Sequence, residues 1–319
     1  MRIAAAGWHP YRLPLRQPWV SAAGWLRERR GRLLRLVTEE GRCGWGDCAP
    51  FPAIGIDPRK ALAHAEECAL LDLAAQAAGL PLAAWLRGGE PAAAAIRVNA
   101  ALGDIHALAP EQIAAACAAG FPVLKVKVGL EQPGNELARL RELAATLPPG
   151  VALRLDANRA WDEEAAARFL AACTELPVEG VEEPLRHPDA GTLRRLQAGL
   201  PFPLALDESA DCIGEALFAD PPVRRLVLKP ARHGGLLAAA RIALGARKAG
   251  IECVVTSGLE SACGLAASAH LAAAIAPEAV HGLATAHWFV RDTGRPPAIA
   301  RGRLRLSPTP GIGFAAGFS

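Results

Sequence analysis

Six side chains that could bind a metal ion or transfer a proton recur along the chain at nearly regular intervals. In chain order they are Lys127, Asp156, Glu182, Asp207, Lys229 and Ser257. The successive intervals are 29, 26, 25, 22 and 28 residues. Each interval is the length of one strand–loop–helix unit, so each residue is predicted to follow a different strand at the same end of a parallel sheet.

A second lysine, Lys125, lies two residues before Lys127. Because side chains alternate along a strand, both ammonium groups are predicted to face the same side. Adjacent positive charges disfavour each other, which lowers a lysine pKa and makes the neutral amine available as a general base. Lysine is otherwise rare among the 35 basic residues of the chain, so its concentration at strand ends indicates proton chemistry.

The three acids would repel one another at a common point unless a cation lay between them. Oxygen ligands on separate strands suit Mg²⁺ or Mn²⁺ rather than zinc. An ion bound there would polarise a substrate carboxylate, and a lysine could remove the proton α to it. The ion and a second lysine would stabilise the resulting enediolate. The sequence therefore predicts metal-assisted proton abstraction from a small-molecule carboxylate.

Eight strand-like segments could position these residues, and helical stretches such as 163–176 and 235–249 separate them. The segments are 96–99, 124–128, 152–156, 180–182, 204–207, 225–229, 252–256 and the region near 281–283. Eight such units predict an α/β fold of the (β/α)₈-barrel type over residues 96–290. A doubly wound open sheet is the alternative, but no phosphate loop follows its first strand.

Residues 1–95 have a different pattern, with strand-like runs at 32–37 and 44–46 and a helical region that begins at Asp57-Pro58. Strands followed by helices predict a small α+β capping domain. The tail, residues 291–319, contains a strand-like run at 303–306. We expect this tail to return to the capping domain and pack on it.

Composition excludes several other classes of protein. The net charge is only +3 and no basic block is present, which argues against nucleic-acid binding. No long apolar stretch is free of charges and of Pro or Gly, so no membrane span is expected. The eight cysteines are scattered without a Cys-x-x-Cys pair, which is typical of free thiols in a reducing compartment. We expect a cytoplasmic monomer or small homo-oligomer.

Five motifs built around the candidate site residues carry a resemblance to a known family. They are Lys125-Val126-Lys127-Val128-Gly129-Leu130, Asp156-Ala157-Asn158-Arg159-Ala160-Trp161, Glu182-Glu183-Pro184, Leu206-Asp207-Glu208-Ser209 and Leu228-Lys229-Pro230. In this order they resemble the muconate-lactonizing subgroup of the enolase superfamily. The second motif and the stretch from Thr256 to Ser261 are most similar to the o-succinylbenzoate synthases of menaquinone biosynthesis.

The resemblance implies a Mg²⁺-dependent lyase. Such an enzyme dehydrates 2-succinyl-6-hydroxy-2,4-cyclohexadiene-1-carboxylate to 2-succinylbenzoate through an enediolate. Asp156, Glu182 and Asp207 would be the Mg²⁺ ligands, with Mn²⁺ as a substitute. Lys127 would remove the α-proton and return it to the departing hydroxyl on the same face. Lys229 would stabilise the enediolate.

The resemblance also implies supporting roles for other residues. Lys125 would tune Lys127 and help to hold the carboxylate, and Asn158 would support the metal ligands. Ser257 and Gly258 would contact the distal part of the substrate. Loops over residues 21–30 and 50–56 would close over the site and exclude water.

Some residues keep two interpretations at this stage. Arg154, a candidate substrate-binding or supporting residue, and Arg159 could bind a substrate carboxylate or pair with nearby acids. Glu183 and Glu208 lie beside predicted ligands with the opposite strand parity, which favours a structural role for both.

Three other functions remain open. The same site could racemise N-acyl amino acids or epimerise dipeptides, with Lys127 and Lys229 on opposite faces of the α-carbon. Dipeptide epimerases of the subgroup carry an Asp-x-Asp motif after the eighth strand, where this chain has residues 281–287 without an acid. A metal-free Schiff-base aldolase using Lys229 would leave the acids unexplained, and so would a non-enzymatic binding scaffold.

Overall fold

The computed structural model describes residues 1–21, 24–214 and 216–317, and the chain begins with a small α+β unit. Three antiparallel strands pair in chain order and two helices follow them. These elements are β1 (Ile3–Ser21), β2 (Gly24–Thr38), β3 (Cys43–Cys48), α1 (Pro58–Ala77) and α2 (Leu82–Leu86). The predicted strand runs at 32–37 and 44–46 lie within β2 and β3.

Strand β1 has no counterpart in the sequence-based prediction. It contains Pro10, Pro14 and Pro18, each of which lacks the N–H group that an inner strand donates to its neighbour. β1 is an edge strand of the three-stranded sheet, and proline is tolerated at an edge because one side of the strand needs no donors. The register with β2 shifts between Pro14 and Trp19.

Helix α1 begins where the sequence predicted and packs closely on β3. The carboxylate of Asp57 accepts the backbone N–H groups of Arg59 and Lys60, which caps the first turn. Within β3, a Cβ at Gly46 would overlap the backbone carbonyl of Ala65 in α1. The glycine at position 46 therefore allows α1 to approach β3 closely.

The remainder of the chain is dominated by eight parallel strands and the helices between them. The strands are β4 (Ala95–Asp104), β5 (Val123–Lys127), β6 (Ala152–Asp156), β7 (Val178–Glu182), β8 (Leu204–Leu206), β9 (Arg225–Leu228), β10 (Glu252–Val255) and β11 (Val280–Ala284). The helices are α3 (Pro110–Ala118), α4 (Pro133–Thr146), α5 (Glu163–Cys173), α6 (Ala190–Ala198), α7 (Ala210–Ile213), α8 (Ala216–Ala219), α9 (Leu236–Lys248) and α10 (Ala262–Ile275).

These strands close into a ring. Consecutive strands from β4 to β10 pair in parallel, and β11 pairs in parallel with β4. The remaining junction is a parallel bridge between Thr256, which follows β10, and Gly282 of β11. The backbone N–H of Ser257 donates to the Gly282 carbonyl oxygen at 3.0 Å. The predicted barrel with an N-terminal α+β unit is confirmed.

The tail contacts both parts of the chain. It contains β12 (Ile299–Ala300) and β13 (Arg303–Arg305), and β13 pairs antiparallel with β4 of the barrel. Further on, the backbone N–H of Ile312 donates to Asp72 of α1 at 2.9 Å. The tail thus reaches the first unit, as expected, and also extends the barrel sheet. The domain boundaries at residues 95 and 290 stay predictions.

The predicted loop over residues 21–30 is wrong for residues 24–30, which belong to β2. The long antiparallel pairing of β1 with β2 continues up to Ser21 and Gly24, so this segment is an extended hairpin. Ala22 and Ala23 lie outside the described residues. No helix in the described part of the chain is both long and apolar enough to cross a membrane.

His281 of β11 is buried and is hydrogen-bonded as a neutral ring. Its Nδ1 accepts the Val255 N–H at 3.0 Å, and its Nε2 lies 2.9 Å from the carbonyl oxygen of Ala276. Burial lowers the pKa of His281 to about 4. Since the folded state disfavours the charged ring, the free energy of unfolding should decrease as the pH falls from the unfolded-state pKa of about 6.5 towards 4.

We expect the wild type to lose about 2 kcal/mol more stability between pH 7 and pH 5 than a His281→Gln variant, which has no titrating ring there. Urea unfolding at the two pH values measures the difference. His187→Gln, at an exposed position, is the matched control and should keep the wild-type pH dependence. If His281→Gln shows the same pH dependence as the wild type, the assignment is wrong.

Candidate active site

Strand pairing brings the candidate site residues to one end of the barrel. Lys127 is aligned with Asp156, and Asp156 with Glu182, in the registers of β5, β6 and β7. Asp207 and Lys229 are the first residues after β8 and β9. These positions are the C-terminal ends of the strands, where barrel enzymes build their active sites. The structure therefore brings together the residues that the spacing singled out.

Lys125 lies between two of the candidate metal ligands. Its Nζ is 2.5 Å from Glu182 Oε2 and 3.0 Å from Asp156 Oδ2. Burial disfavours the charged amine, but the negative charges of Asp156 and Glu182 outweigh burial and raise the pKa of Lys125. Lys125 is therefore held as a cation that neutralises part of the charge on both acids.

The pKa of Lys127 is shifted in the opposite direction from that of Lys125. Lys127 Nζ donates to Asn158 Oδ1 at 2.8 Å and lies 5.6 Å from the centre of the Trp19 ring. Burial lowers the pKa of Lys127, Asp156 opposes this shift, and the positive charge of Lys125 adds to it. The direction agrees with the prediction from adjacent lysines, although burial is the larger cause. Lys127 is the lysine of the pair that loses its proton more easily.

Two cations hold Asp207. Lys229 Nζ and Arg232 Nη1 each donate to its carboxylate, and Arg232 Nη2 donates to its backbone carbonyl oxygen at 2.7 Å. Burial alone would raise the pKa of Asp207, but the charges of Lys229 and Arg232 outweigh it and keep the pKa low. Lys229 is also close enough for its charge to contribute to the lowered pKa of Lys127.

The donor set is consistent with a hard divalent cation. Asp156, Glu182 and Asp207 supply only oxygen ligands, as Mg²⁺ prefers. In the described ranges no three acidic, His or Cys side chains form a ready metal cluster, and the cationic groups of Lys125, Lys229 and Arg232 lie against the acids instead. However, Glu182 Oε1 is buried and accepts no hydrogen bond from a described residue. A metal ion would satisfy this otherwise costly oxygen.

Glu183 accepts hydrogen bonds from the residues that follow β8, among them Asp207. Its carboxylate accepts the N–H of Asp207 at 2.6 Å, the N–H of Ser209 at 2.9 Å and the hydroxyl of Ser209 at 2.5 Å. Burial and the nearby charge of Glu208 raise the pKa of Glu183 to about 7. These contacts support the structural role predicted for Glu183, whereas Glu208 lines the cavity.

Ser257 and Gly258 also line the cavity, but their donors are already used. Ser257 Oγ donates to Glu260 Oε2 at 2.6 Å, and the Gly258 N–H donates to Glu260 Oε1 at 2.9 Å. From the first unit, Arg29 Nε donates to the carbonyl oxygen of Leu259 at 3.1 Å. This loop is therefore a fixed wall of the cavity.

Asp47 of β3 fastens the same loop to the N-terminal sheet. Its carboxylate accepts the Tyr11 hydroxyl at 2.7 Å, the Ser261 N–H at 2.9 Å and the Ser261 hydroxyl at 2.7 Å. Burial raises the pKa of Asp47 to about 6, although these hydrogen bonds oppose the shift. The N-terminal sheet thus positions one wall of the barrel mouth.

Arg154 is buried and is not among the cavity-lining residues that the structure describes. It is 1% exposed, its Nε donates to Glu179 at 2.5 Å, and its Nη1 donates to the Val280 carbonyl oxygen at 3.0 Å. Arg159 Nη2 donates to the carbonyl oxygen of Arg186 at 3.0 Å. Neither arginine is among the described residues that line the cavity. The contacts favour local pairing over substrate binding for both.

Sequence reasoning missed two residues of the site, Arg232 and Trp19. Arg232 follows Lys229 by three residues and lies in the short helical turn Pro230–His233. A basic residue so soon after a predicted site residue could have indicated a second cation at the site. Trp19 lines the cavity from β1, and the prolines of β1 concealed that strand.

Comparisons with known proteins identify relatives that match most of the chain. A family described as enolase C-terminal domain-like matches residues 108–316. An o-succinylbenzoate synthase of Pectobacterium atrosepticum is 30% identical and covers 86% of this chain and 88% of its own length. An L-Ala-D/L-Glu epimerase of Bacillus subtilis is 26% identical and covers 82% of this chain and 82% of its own length. Relatives with two different reactions therefore match similar shares of the chain.

A solved structure shares the fold over almost the entire chain. A dipeptide epimerase of Cytophaga hutchinsonii, complexed with Mg and the dipeptide D-Ala-L-Val, superposes with a TM-score of 0.87. The match covers 99% of this chain and 96% of that chain, at 24% identity. At this identity the likeness concerns the fold.

Proposed function

This chain belongs to the enolase superfamily, and from that premise we propose that it is a lyase acting on a small-molecule carboxylate. The proposed reaction is the syn-dehydration of 2-succinyl-6-hydroxy-2,4-cyclohexadiene-1-carboxylate to 2-succinylbenzoate, an o-succinylbenzoate synthase step of menaquinone biosynthesis. The observation that carries the proposal is the convergence of Lys127, Lys229 and three carboxylates at one barrel mouth.

Lys127 is the proposed acid–base residue. Its neutral amine takes the proton from the carbon that bears the carboxylate, and the C–H electron pair becomes the new ring double bond. The C–O bond on the adjacent carbon breaks, and the Lys127 ammonium returns the proton to the departing oxygen as water. One lysine serves both steps, so both occur on one face of the ring. Asn158 keeps the amine in place by accepting its N–H.

Asp156, Glu182 and Asp207 would hold Mg²⁺, with Mn²⁺ as a substitute, and the bound ion would supply Lewis-acid polarisation of the substrate carboxylate. Lys229 directly follows β9, which is four strands from β5 in a ring of eight, and it therefore faces Lys127 across the mouth. Its ammonium would stabilise the negative charge that develops as the proton leaves.

The remaining cavity wall suits a ring with an acyl arm. Trp19, Phe51 and Ile54 supply apolar surface on the side of the N-terminal unit. The acids among the described lining residues are Asp156, Asp207 and Glu208, all at the ends of β6 and β8. On the opposite side, a free ammonium group of a dipeptide would therefore meet no acid among the described lining residues, which favours the synthase over dipeptide epimerisation.

Racemisation of an N-acyl amino acid, such as an N-succinyl amino acid, is the second candidate. The placement of Lys127 and Lys229 on opposite sides of the cavity favours it, because such a reaction needs one base on each face of the α-carbon. A Schiff-base aldolase has less support, since Lys229 forms an ion pair with Asp207 and a protonated amine is not a nucleophile.

Ultraviolet progress curves with the cyclohexadiene substrate, first with Mg²⁺ and then with EDTA, test the proposal. We expect EDTA-sensitive aromatisation with a kcat/KM on the order of 10⁴ M⁻¹s⁻¹ or higher. In parallel, N-succinyl amino acids are incubated in D₂O. Deuterium incorporation with inversion, without aromatisation of the diene, would replace the lyase by the racemase.

A further inference from the structure

Three residues that line the cavity each have a buried polar atom with no hydrogen-bond partner among the described residues. The atoms are Asn99 Nδ2, Thr256 Oγ1 and Thr285 Oγ1. Their residues are 1%, 6% and 6% exposed. Buried polar atoms without partners are costly and uncommon in folded proteins. Three of them on one wall indicate that this wall receives a polar ligand group.

The three residues lie together at the seam where the barrel closes. Asn99 belongs to β4, Thr256 follows β10 and Thr285 follows β11, and these strands are neighbours. Gly282 of β11 allows these residues to approach closely, because a Cβ there would lie 2.8 Å from Thr256 Cγ2 and 3.5 Å from Asn99 Oδ1. We call Asn99, Thr256 and Thr285 the seam subsite.

The neighbours of Asn99 determine which atom of its amide is free. Arg154 Nη1 lies 3.4 Å from Asn99 Oδ1, and a guanidinium can only donate hydrogen bonds. The amide oxygen therefore faces Arg154, which leaves the NH₂ group as a donor without a partner among the described residues. The two threonine hydroxyls can also donate. A group that bonds to all three must be an oxygen acceptor, since an ammonium cannot accept from the amide NH₂.

Other donors on this wall are not available to a ligand. Glu260 already accepts the Ser257 hydroxyl and the Gly258 N–H. The family resemblance implied that Ser257 and Gly258 contact the distal part of the substrate. The seam subsite is the part of this wall that has unused donors for such a contact.

The order of strands around the ring relates the seam subsite to the reacting atoms. The candidate metal ligands end β6, β7 and β8, whereas the subsite belongs to β4, β10 and β11 on the other side of the ring. Lys127 of β5 and Lys229 after β9 lie between these two sides. A substrate with its reacting carboxylate at the acids and its α-carbon between the lysines would extend its arm to the seam subsite.

We propose that the seam subsite binds an oxygen of the substrate arm, either the carbonyl or the terminal carboxylate of an acyl group, and selects acyl-bearing carboxylates against those with a free amine. This inference rests on the proposed function for the placement of the reacting carboxylate. It assigns substrate recognition to Asn99, Thr256 and Thr285.

Calorimetric binding of two product-like ligands in the presence of Mg²⁺ tests the subsite. 2-Succinylbenzoate carries the arm oxygens, and 2-butylbenzoate has an apolar arm of similar length. We expect Thr285→Val to lower the affinity ratio of the first to the second about 10-fold, through the loss of one buried hydrogen bond. Thr256→Val should act in the same direction, and Thr285→Ser, which retains the hydroxyl, should restore the wild-type ratio.

Ser268→Ala is the matched control. The Ser268 hydroxyl is also buried and has no partner in the described ranges, but Ser268 lies in α10 and is not one of the described cavity-lining residues. This variant should leave the ratio unchanged. An unchanged ratio in both valine variants, or a wild type that does not prefer 2-succinylbenzoate, would overturn the proposal.

The proposed function and the subsite can fail separately. If the wild type selects 2-succinylbenzoate through these threonines but does not aromatise the diene, the lyase assignment fails and the subsite stands. If aromatisation is rapid and both valine variants keep the wild-type affinity ratio, the subsite fails alone.

Discussion

Lys127→Ala is expected to reduce turnover of the cyclohexadiene substrate by about 10²- to 10⁴-fold, the usual contribution of a general acid–base residue. The variant removes the amine whose pKa is lowered by burial and by the charge of Lys125. It leaves the carboxylates of Asp156, Glu182 and Asp207 in place. Steady-state kinetics should show the loss in kcat, while Mg²⁺ still raises the melting temperature of the variant.

Lys248→Ala is the matched control, because Lys248 is exposed in the last turn of α9. It should keep the wild-type kcat. If Lys127→Ala turns over within tenfold of the wild type, Lys127 does not carry the proton. If the variant also loses its Mg²⁺ response, the substitution has disturbed the acids as well, and the kinetic loss would not define a base.

Glu182→Gln is expected to remove most of the stabilisation that Mg²⁺ gives the folded protein. Glu182 has a buried oxygen that accepts no hydrogen bond within the described part of the chain, and the amide of glutamine cannot replace the charge of a carboxylate ligand. For the wild type, Mg²⁺ at 100 times its Kd should add about 2.7 kcal/mol to the free energy of unfolding. Calorimetric melting with and without Mg²⁺ measures this difference independently of activity.

The same substitution should lower turnover by about 100-fold or more, since a bound metal ion supplies several kcal/mol of charge stabilisation in the transition state. EDTA should reduce the wild type to a similar rate. Glu142→Gln, an identical chemical change at an exposed acid of α4, should retain both the thermal response and the rate. A Mg²⁺ response that survives in Glu182→Gln would remove Glu182 from the ligand set.

The sequence by itself determined the framework of the barrel and the candidate chemistry. The acids and lysines recur at intervals of one strand–loop–helix unit, which predicted that they lie together at the barrel mouth. The reason is that all parallel strands of a barrel have their C-terminal ends on the same side. The alternation of side chains placed Lys125 and Lys127 on one face. Asp57 before Pro58 identified the start of α1, since capping depends only on neighbouring residues.

Local pattern also misled where tertiary context outweighed it. No strand was predicted for β1, which contains three prolines, and its place at the sheet edge makes a strand compatible with them. Arg154 is on the same face of β6 as Asp156, yet its guanidinium donates to Glu179 and to the Val280 carbonyl oxygen. Alternation along a strand determines the face on which a side chain lies but not the partner that it binds.

Only the tertiary structure decided which donors remain free for a substrate. Ser257 and Gly258 matched the family motif, but Glu260 occupies both of their donors. Asn99 and Thr285 belong to no motif, and Thr256 was not singled out within its own. The three come together because β4, β10 and β11 meet where the ring closes. Hydrogen-bond satisfaction is a property of atoms that folding brings together from distant parts of the chain, so residue type and spacing could not determine it.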